Sequence, residues 1–108
     1  MADASAVPEV LALDGDLTAE QFGAVSQRIE RARRSSAPLI VDLAGVRSID
    51  GMIAMDLVLF LRRRLRHGTP CAIVVPETNA GWLTGAGSLA EALFCKDRNE
   101  ALRALAAP

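Results

Sequence analysis

Aromatic residues are scarce in this chain of 108 residues, which has no tyrosine, three phenylalanines and one tryptophan, or 4% in all. A core must therefore be built mainly from aliphatic side chains, and these are plentiful because 51% of the residues are hydrophobic. That apolar share excludes intrinsic disorder. A chain of this length buries roughly two-thirds of its unfolded surface as one domain. We predict a flexible tail over residues 1–8 and a single domain over residues 9–108.

Side chains that carry catalysis or bind metals are equally few. His67 is the single histidine, and Cys71 and Cys95 lack the spacing of a metal site or a Cys-x-x-Cys pair. We expect both cysteines to be buried apolar side chains and His67 to be a cation at a helix end. Because no catalytic arrangement can be built around His67, we predict a protein that is not an enzyme and has no cofactor or metal.

The chain also lacks a strong charge of one sign and a long apolar run. Its net charge of −1 gives it no electrostatic reason to bind nucleic acid. The most apolar segment, residues 51–61, is interrupted by Asp56, whereas a membrane span needs about 20 apolar residues. Asp3 and Glu9 lie where a signal peptide would be basic. We therefore expect a cytoplasmic protein without direct membrane insertion.

Hydrophobic periodicity and capping residues predict strands that alternate with helices. The predicted strands cover residues 9–14, 39–43, 71–75 and 94–95, and the predicted helices cover residues 19–34, 51–66, 79–93 and 98–106. Turns are predicted at residues 15–16 and 44–46. Alternation of this kind indicates an α/β fold with a mostly parallel four-stranded sheet packed with about four helices. Binding sites in such sheets lie beyond the carboxyl ends of the strands, which here selects residues 14–18, 43–52 and 76–80.

Short segments spread along the chain carry a family resemblance. They are Gly15-Asp16-Leu17, Val41-Asp42-Leu43-Ala44-Gly45-Val46, Ile49-Asp50-Gly51, Gly68, Leu83-Thr84-Gly85 and Asn99-Glu100-Ala101-Leu102. In this order and spacing, over about residues 10–105, the chain resembles the STAS family, the domain of anti-sigma-factor antagonists. The resemblance implies a βαβαβαβα domain that regulates transcription by binding a protein, with the helix over residues 51–66 in contact with an anti-sigma factor.

The chain departs from that family in two places. The family usually has one more strand before residue 10, and we predict that this strand is short or missing. The family's phosphorylatable serine corresponds to Gly51, which has no hydroxyl group. The usual switch, which adds about two negative charges at a helix N-terminus, therefore cannot operate there. Ser48 is an alternative phosphoacceptor, although an ordinary loop serine is the simpler interpretation.

The helix over residues 51–66 has an unusual distribution of apolar side chains. At about 100° per residue, one face is formed by Ala54, Leu57, Val58, Leu61 and Leu65, and we expect this face to pack on the sheet. Two methionines and a leucine lie on nearly the opposite face, beside charged residues. Flexible methionines within a charged rim are typical of a surface that binds a partner, although scattered exposed apolar residues are also ordinary.

Charges are also expected to separate along the sheet. Arginines 31, 33, 34, 62, 63, 64 and 66 lie near the C-terminal ends of two helices. They are either a solvated face that suits the helix dipoles or a basic edge for an acidic partner or a membrane phosphate. The acids Asp14, Asp16, Asp42 and Asp50 gather at the opposite end. A receiver-like phospho-aspartate site is disfavoured because the paired early acids and the late lysine are missing.

We therefore predict a regulatory protein-binding module similar to an anti-sigma-factor antagonist, without the serine switch. Its predicted partner contacts are Asp16, Asp50, Gly51, Met52, Met55, Asp56 and Leu59. The resemblance implies that the partner is an anti-sigma factor or serine kinase. One alternative is a STAS-like accessory subunit of an ABC-type lipid transporter, which would bind a transporter subunit. The other is a small enzyme or nucleotide-binding protein. The sequence leaves open whether the protein forms a homodimer and whether another chain supplies the missing edge strand.

Overall fold

The computed structural model describes residues 7–75, 81–84 and 92–106. The strands are β1 (Glu9–Leu17), β2 (Leu39–Ile49), β3 (Cys71–Val74) and β4 (Leu93–Cys95). The helices are α1 (Phe22–Arg33), α2 (Gly51–Arg66), α3 (Gly81–Thr84) and α4 (Arg98–Ala106), with a 3-10 turn at Ala19–Gln21 before α1. The predicted α/β fold is confirmed, although α3 is only a short helical segment within the described residues.

The four strands form one parallel sheet in the order β1-β2-β3-β4. Within the described residues, β1 therefore lies at an edge, as expected for a sheet without an earlier strand. The central strands are buried on both faces, which explains the unbroken apolar runs Leu39–Val41 and Cys71–Val74. Their register pairs Leu39 with Cys71 and Val41 with Ile73.

Strands β1 and β2 extend well beyond their predicted ends. Residues 15–16 and 44–46 were predicted to form turns, and this prediction is wrong because both segments continue the ladder through irregularities in register. Two glycines permit the irregular pairing. Gly15 has a φ of 77°, and a β-carbon at Gly45 would lie 2.9 Å from the β-carbon of Asp14. The ladder ends where Leu17 pairs with Ile49, next to the start of α2.

Helices cover both faces of the sheet. Helices α1 and α2 pack on the larger core, whose aliphatic side chains include Leu13, Val41 and Ile73. Helix α4 packs on the other face, where Ala101 lies in a smaller cluster with Ile40. Both cysteines are buried, as predicted, and they belong to different clusters on the two faces of the sheet.

The ends of the helices follow the capping pattern of the sequence. Thr18 N donates to Gln21 Oε1 at 3.2 Å, but the predicted helix over residues 19–34 begins as a 3-10 turn and ends at Arg33. Asp50 caps α2, because its Oδ1 accepts a hydrogen bond from Met52 N at 2.9 Å. Gly68 follows α2 with a φ of 77°, the left-handed conformation that ends many helices.

Some predictions fall on residues outside the described ranges. They concern the tail over residues 1–6, the candidate loop over residues 76–80 and the break predicted near residues 85–87. The predicted third helix extended to Leu93, but Leu93 is the first residue of β4. None of the helices in the described part of the chain is both long and apolar enough to cross a membrane.

Candidate functional site: the exposed face of α2

Helix α2 exposes three large apolar side chains along one side. Met52, Met55 and Leu59 keep 65%, 66% and 51% of their surface in contact with solvent. Their spacing of three and four residues places them on one face of a helix. The predicted exposure of these residues is confirmed. We call Met52, Met55 and Leu59 the α2 surface.

The buried side of α2 agrees only in part with the predicted one, because Leu57 and Leu61 are buried as expected but its other members differ. It consists of Ile53, Leu57, Phe60, Leu61 and Arg64, whereas Ala54, Val58 and Leu65, which were predicted to face the sheet, are only half-buried. The helix is turned toward α1, because Phe60 shares a groove with side chains of α1. The half-buried Val58 therefore lies between the core and the α2 surface.

An apolar groove adjoins the α2 surface. Its volume is about 440 Å³. The lining residues are Gly51, Ala54, Met55, Val58, Leu59, Arg62 and Trp82. Trp82 also packs against the core, as predicted, and it forms one wall of this groove. Since Met55 and Leu59 belong to the surface and to the groove, the two form one continuous apolar region.

Two predicted site acids lie at the N-terminal end of α2. Asp16 accepts a hydrogen bond from Ser48 Oγ at 2.8 Å and one from Arg47 Nη2 at 3.0 Å. Asp50 N donates to the carbonyl oxygen of Leu17 at 2.8 Å, so Asp16 and Asp50 lie at the same end of the sheet. Asp16 was predicted to lie in a turn, and this is wrong because it pairs with Ser48 inside the β1–β2 ladder.

The remaining predicted site residues differ in accessibility. Gly51 is exposed, and no atom lies within 4 Å of the position that a β-carbon would take there. Asp56 is half-buried and accepts a hydrogen bond from Ser26 Oγ of α1 at 3.2 Å. The structure therefore brings Gly51 next to the α2 surface, but it directs Asp56 toward α1.

Asp42, which was weighed as part of a receiver-like site, has two structural partners. Its Oδ1 accepts from Ala44 N at 3.0 Å, and its Oδ2 accepts from Arg98 Nε. The pair holds the start of α4 against β2. In the described part of the chain, no group of three histidine, cysteine, aspartate or glutamate side chains is arranged to hold a metal ion.

Sequence reasoning missed a buried arginine at the opposite end of α2. Arg64 is only 7% exposed. Its Nη1 donates to the carbonyl oxygens of Ala32 at 3.0 Å and Ser35 at 3.1 Å, and its Nη2 donates to that of Ala37. Its guanidinium also lies 5.9 Å from the centre of the Phe60 ring, which is within range of a cation–π contact. Arg64 thus ties the end of α1 to α2.

Burial disfavours the charged, thiolate form of both cysteines. Burial raises the pKa of Cys71 to about 12, against a smaller opposing effect of the Arg64 charge. Burial also raises the pKa of Cys95, and the carboxylates of Glu100 and Asp97 add to this increase. Since the thiolate is the reactive form, burial lowers the reactivity of both cysteines.

Comparisons with protein-family models, with curated proteins and with solved structures find no match. The functional conclusion therefore depends on the residues and the geometry of this chain.

Proposed function

We propose that the protein is a regulatory protein-binding module of the anti-sigma-factor-antagonist kind, whose partner docks on the α2 surface and the adjoining apolar groove. In this role the protein would control transcription and would act in the cytoplasm. The observation that supports it best is the continuity of Met52, Met55 and Leu59 with a groove of about 440 Å³. A partner with an apolar projection would fill this groove.

The energetic case follows from the exposed fractions of these side chains. Complete burial of a large apolar side chain contributes about 1.5–3 kcal/mol. Met52, Met55 and Leu59 are between half and two-thirds exposed, so a partner that covers them gains about 1–2 kcal/mol from each. Together these contributions correspond to an affinity gain of roughly a hundredfold or more.

Charged groups at the two ends of the α2 surface would determine which partner binds. Asp16 and Asp50 lie beyond the N-terminal end, whereas Arg62 lines the groove on the other side. An apolar centre between charged groups is the usual arrangement of a specific interface. Asp56 contributes less than predicted, because it is half-buried and bonded to Ser26.

The proposed module lacks a serine switch at the start of α2. Gly51 has no hydroxyl group to phosphorylate, and its exposed backbone allows a partner to approach closely. Ser48, the alternative phosphoacceptor, donates its hydroxyl hydrogen to Asp16. Phosphorylation of Ser48 would bring a phosphate next to that carboxylate. The repulsion between these two groups argues against Ser48 as the replacement switch.

Affinity capture with matched variants tests the proposal. The full chain, Met55→Ala/Leu59→Ala and Leu102→Ala would each be used to capture proteins from cells of the source organism, followed by mass spectrometry. Leu102 is a suitable control because it is 46% exposed on α4, which packs on the other face of the sheet.

The proposal expects an anti-sigma factor with a kinase fold to be captured by the full chain and by Leu102→Ala, and to be lost from the double variant. Capture of a transporter subunit instead would favour the accessory-subunit alternative. Equal capture of the same partner by all three proteins would contradict the assignment of the α2 surface.

A further inference from the structure

A second groove lies at the other end of α2 and has the opposite chemical character. Its volume is about 400 Å³, and it separates the C-terminal ends of α1 and α2. Four arginines and the histidine contribute to its lining: Arg33, Arg34, Arg63, Arg64 and His67. We call it the basic groove. None of the described residues that line it is acidic, although Glu30 beside it pairs with Arg33 at 3.3 Å.

Arg64 gives this groove a fixed positive charge that no described carboxylate neutralises. The described part of the chain places no carboxylate within ion-pair distance of Arg64, whose Nη atoms bond to carbonyl oxygens instead. Its Nε is buried and has no hydrogen-bond partner there. The carbonyl oxygens satisfy the Nη atoms, and an anion close to the guanidinium would further offset the free-energy cost of burying its charge.

We propose that the basic groove binds the phosphoryl group of a small phosphorylated solute. Arginine is the side chain best suited to phosphate, because its planar guanidinium donates paired hydrogen bonds to phosphate oxygens. Arg33 ends α1, Arg34 follows it directly and Arg63 belongs to α2, so arginines on both sides of the groove are available to one anion. Three hydroxyl side chains in the lining can donate further hydrogen bonds.

The shape of the groove favours a small solute over a membrane or a protein surface. Pockets of about 300–1,000 Å³ are typical of small-molecule sites, and the volume here lies within that range. A flat lipid surface reaches protruding arginines, but it cannot enter a concave groove to contact the side chains along its walls. The groove is separate from the α2 surface, so this inference does not depend on the proposed function.

Titration calorimetry with pyrophosphate tests the inference. The full chain would be titrated at low ionic strength, where screening is weak, in a buffer without phosphate or sulfate. The variant is Arg34→Gln/Arg63→Gln, because both side chains are exposed and line the groove. Arg64 is left intact because its removal would disturb the fold. The control is Arg103→Gln, an exposed arginine on α4.

We expect one pyrophosphate to bind per chain, with an affinity about tenfold or more lower in the double variant and unchanged in Arg103→Gln. No saturable binding at millimolar pyrophosphate would overturn the inference, and so would equal affinity in all three proteins. A parallel arm uses vesicles of phosphatidylglycerol and phosphatidylcholine. Vesicle binding that depends on Arg34 and Arg63, without binding of pyrophosphate, would show a membrane contact instead and would also overturn it.

Discussion

Replacement of the buried Arg64 by methionine is the sharpest test of how α1 and α2 are held together. The variant removes three hydrogen bonds from a charged donor to carbonyl oxygens. Bonds to charged groups contribute about 1.5–3 kcal/mol each. Part of this is offset, because burying a guanidinium without a carboxylate partner costs several kcal/mol. We expect a net loss of about 2–4 kcal/mol from the free energy of unfolding.

The expected loss of free energy can be expressed as a decrease in melting temperature (Tm), because the entropy of unfolding scales with chain length. Unfolding of 108 residues carries an entropy of roughly 0.2 kcal/mol per degree at the midpoint. Arg64→Met should therefore lower the Tm by about 10–20 °C. Circular dichroism during heating measures it, in a buffer free of phosphate and sulfate so that no anion stabilises the native state.

Arg63→Met is the matched control for this experiment. Arg63 is the preceding residue of the same helix, but its side chain is exposed. The Arg63→Met variant loses the same charge, but it leaves no carbonyl group unpaired. Its Tm should therefore change by about 2 °C or less. Equal Tm values for the two variants, or a more stable Arg64→Met, would refute the claim that Arg64 stabilises the ends of α1 and α2.

The remaining predictions concern glycines and a cysteine. Gly45→Ala should lower the free energy of unfolding by about 1–3 kcal/mol in urea titrations, because its β-carbon would crowd Asp14; Gly23→Ala, with open space in α1, should raise it by about 0.5–1 kcal/mol. Gly51→Ser should keep the wild-type stability, since nothing crowds the new side chain, and mass spectrometry should detect phosphoserine after incubation with ATP and the captured kinase. Because burial raises the pKa of Cys71 from 9.0 to about 12, the unfolded thiol loses its proton first. The free energy of unfolding should therefore fall from pH 9 toward 12, and more steeply than in Cys71→Ala.

The sequence was most informative where local signals act alone. The bounds of α2 and α4 agree with the prediction, because Asp50 caps the first and Gly68 terminates it, while Asp97 caps the second through Glu100 N at 2.8 Å. The exposure of Met52 and Met55 was also readable, because helical periodicity separates them from the buried leucines. The bounds of a helix and the exposure of its side chains both depend on a few neighbouring residues.

The errors arise where distant segments decide the structure. Gly15-Asp16 and Ala44-Gly45 carry ordinary turn signals, but each segment lies beside the other strand and continues the ladder. Sequence patterns do not report cross-strand register. The turn of α2 toward α1 has the same origin, because it depends on how two helices pack and not on either helix alone.

Arg64 was missed because it lies within a run of arginines that looks fully solvated. A signal was present nonetheless. Arg64 lies four residues after Phe60, three after Leu61 and seven after Leu57, which is the spacing of a buried stripe. The carbonyl oxygens that bond to Arg64 lie at and after the end of α1, and their position follows from the tertiary structure.

Binding of a partner protein on the α2 surface is tested most directly by one affinity measurement. The partner captured by the full chain would be titrated against the full chain, Met55→Ala/Leu59→Ala and Leu102→Ala. Truncation of a central interface residue costs about 1–3 kcal/mol. The double variant should therefore bind roughly thirtyfold more weakly or worse, while Leu102→Ala should bind like the full chain. Unchanged affinity in the double variant would contradict the account.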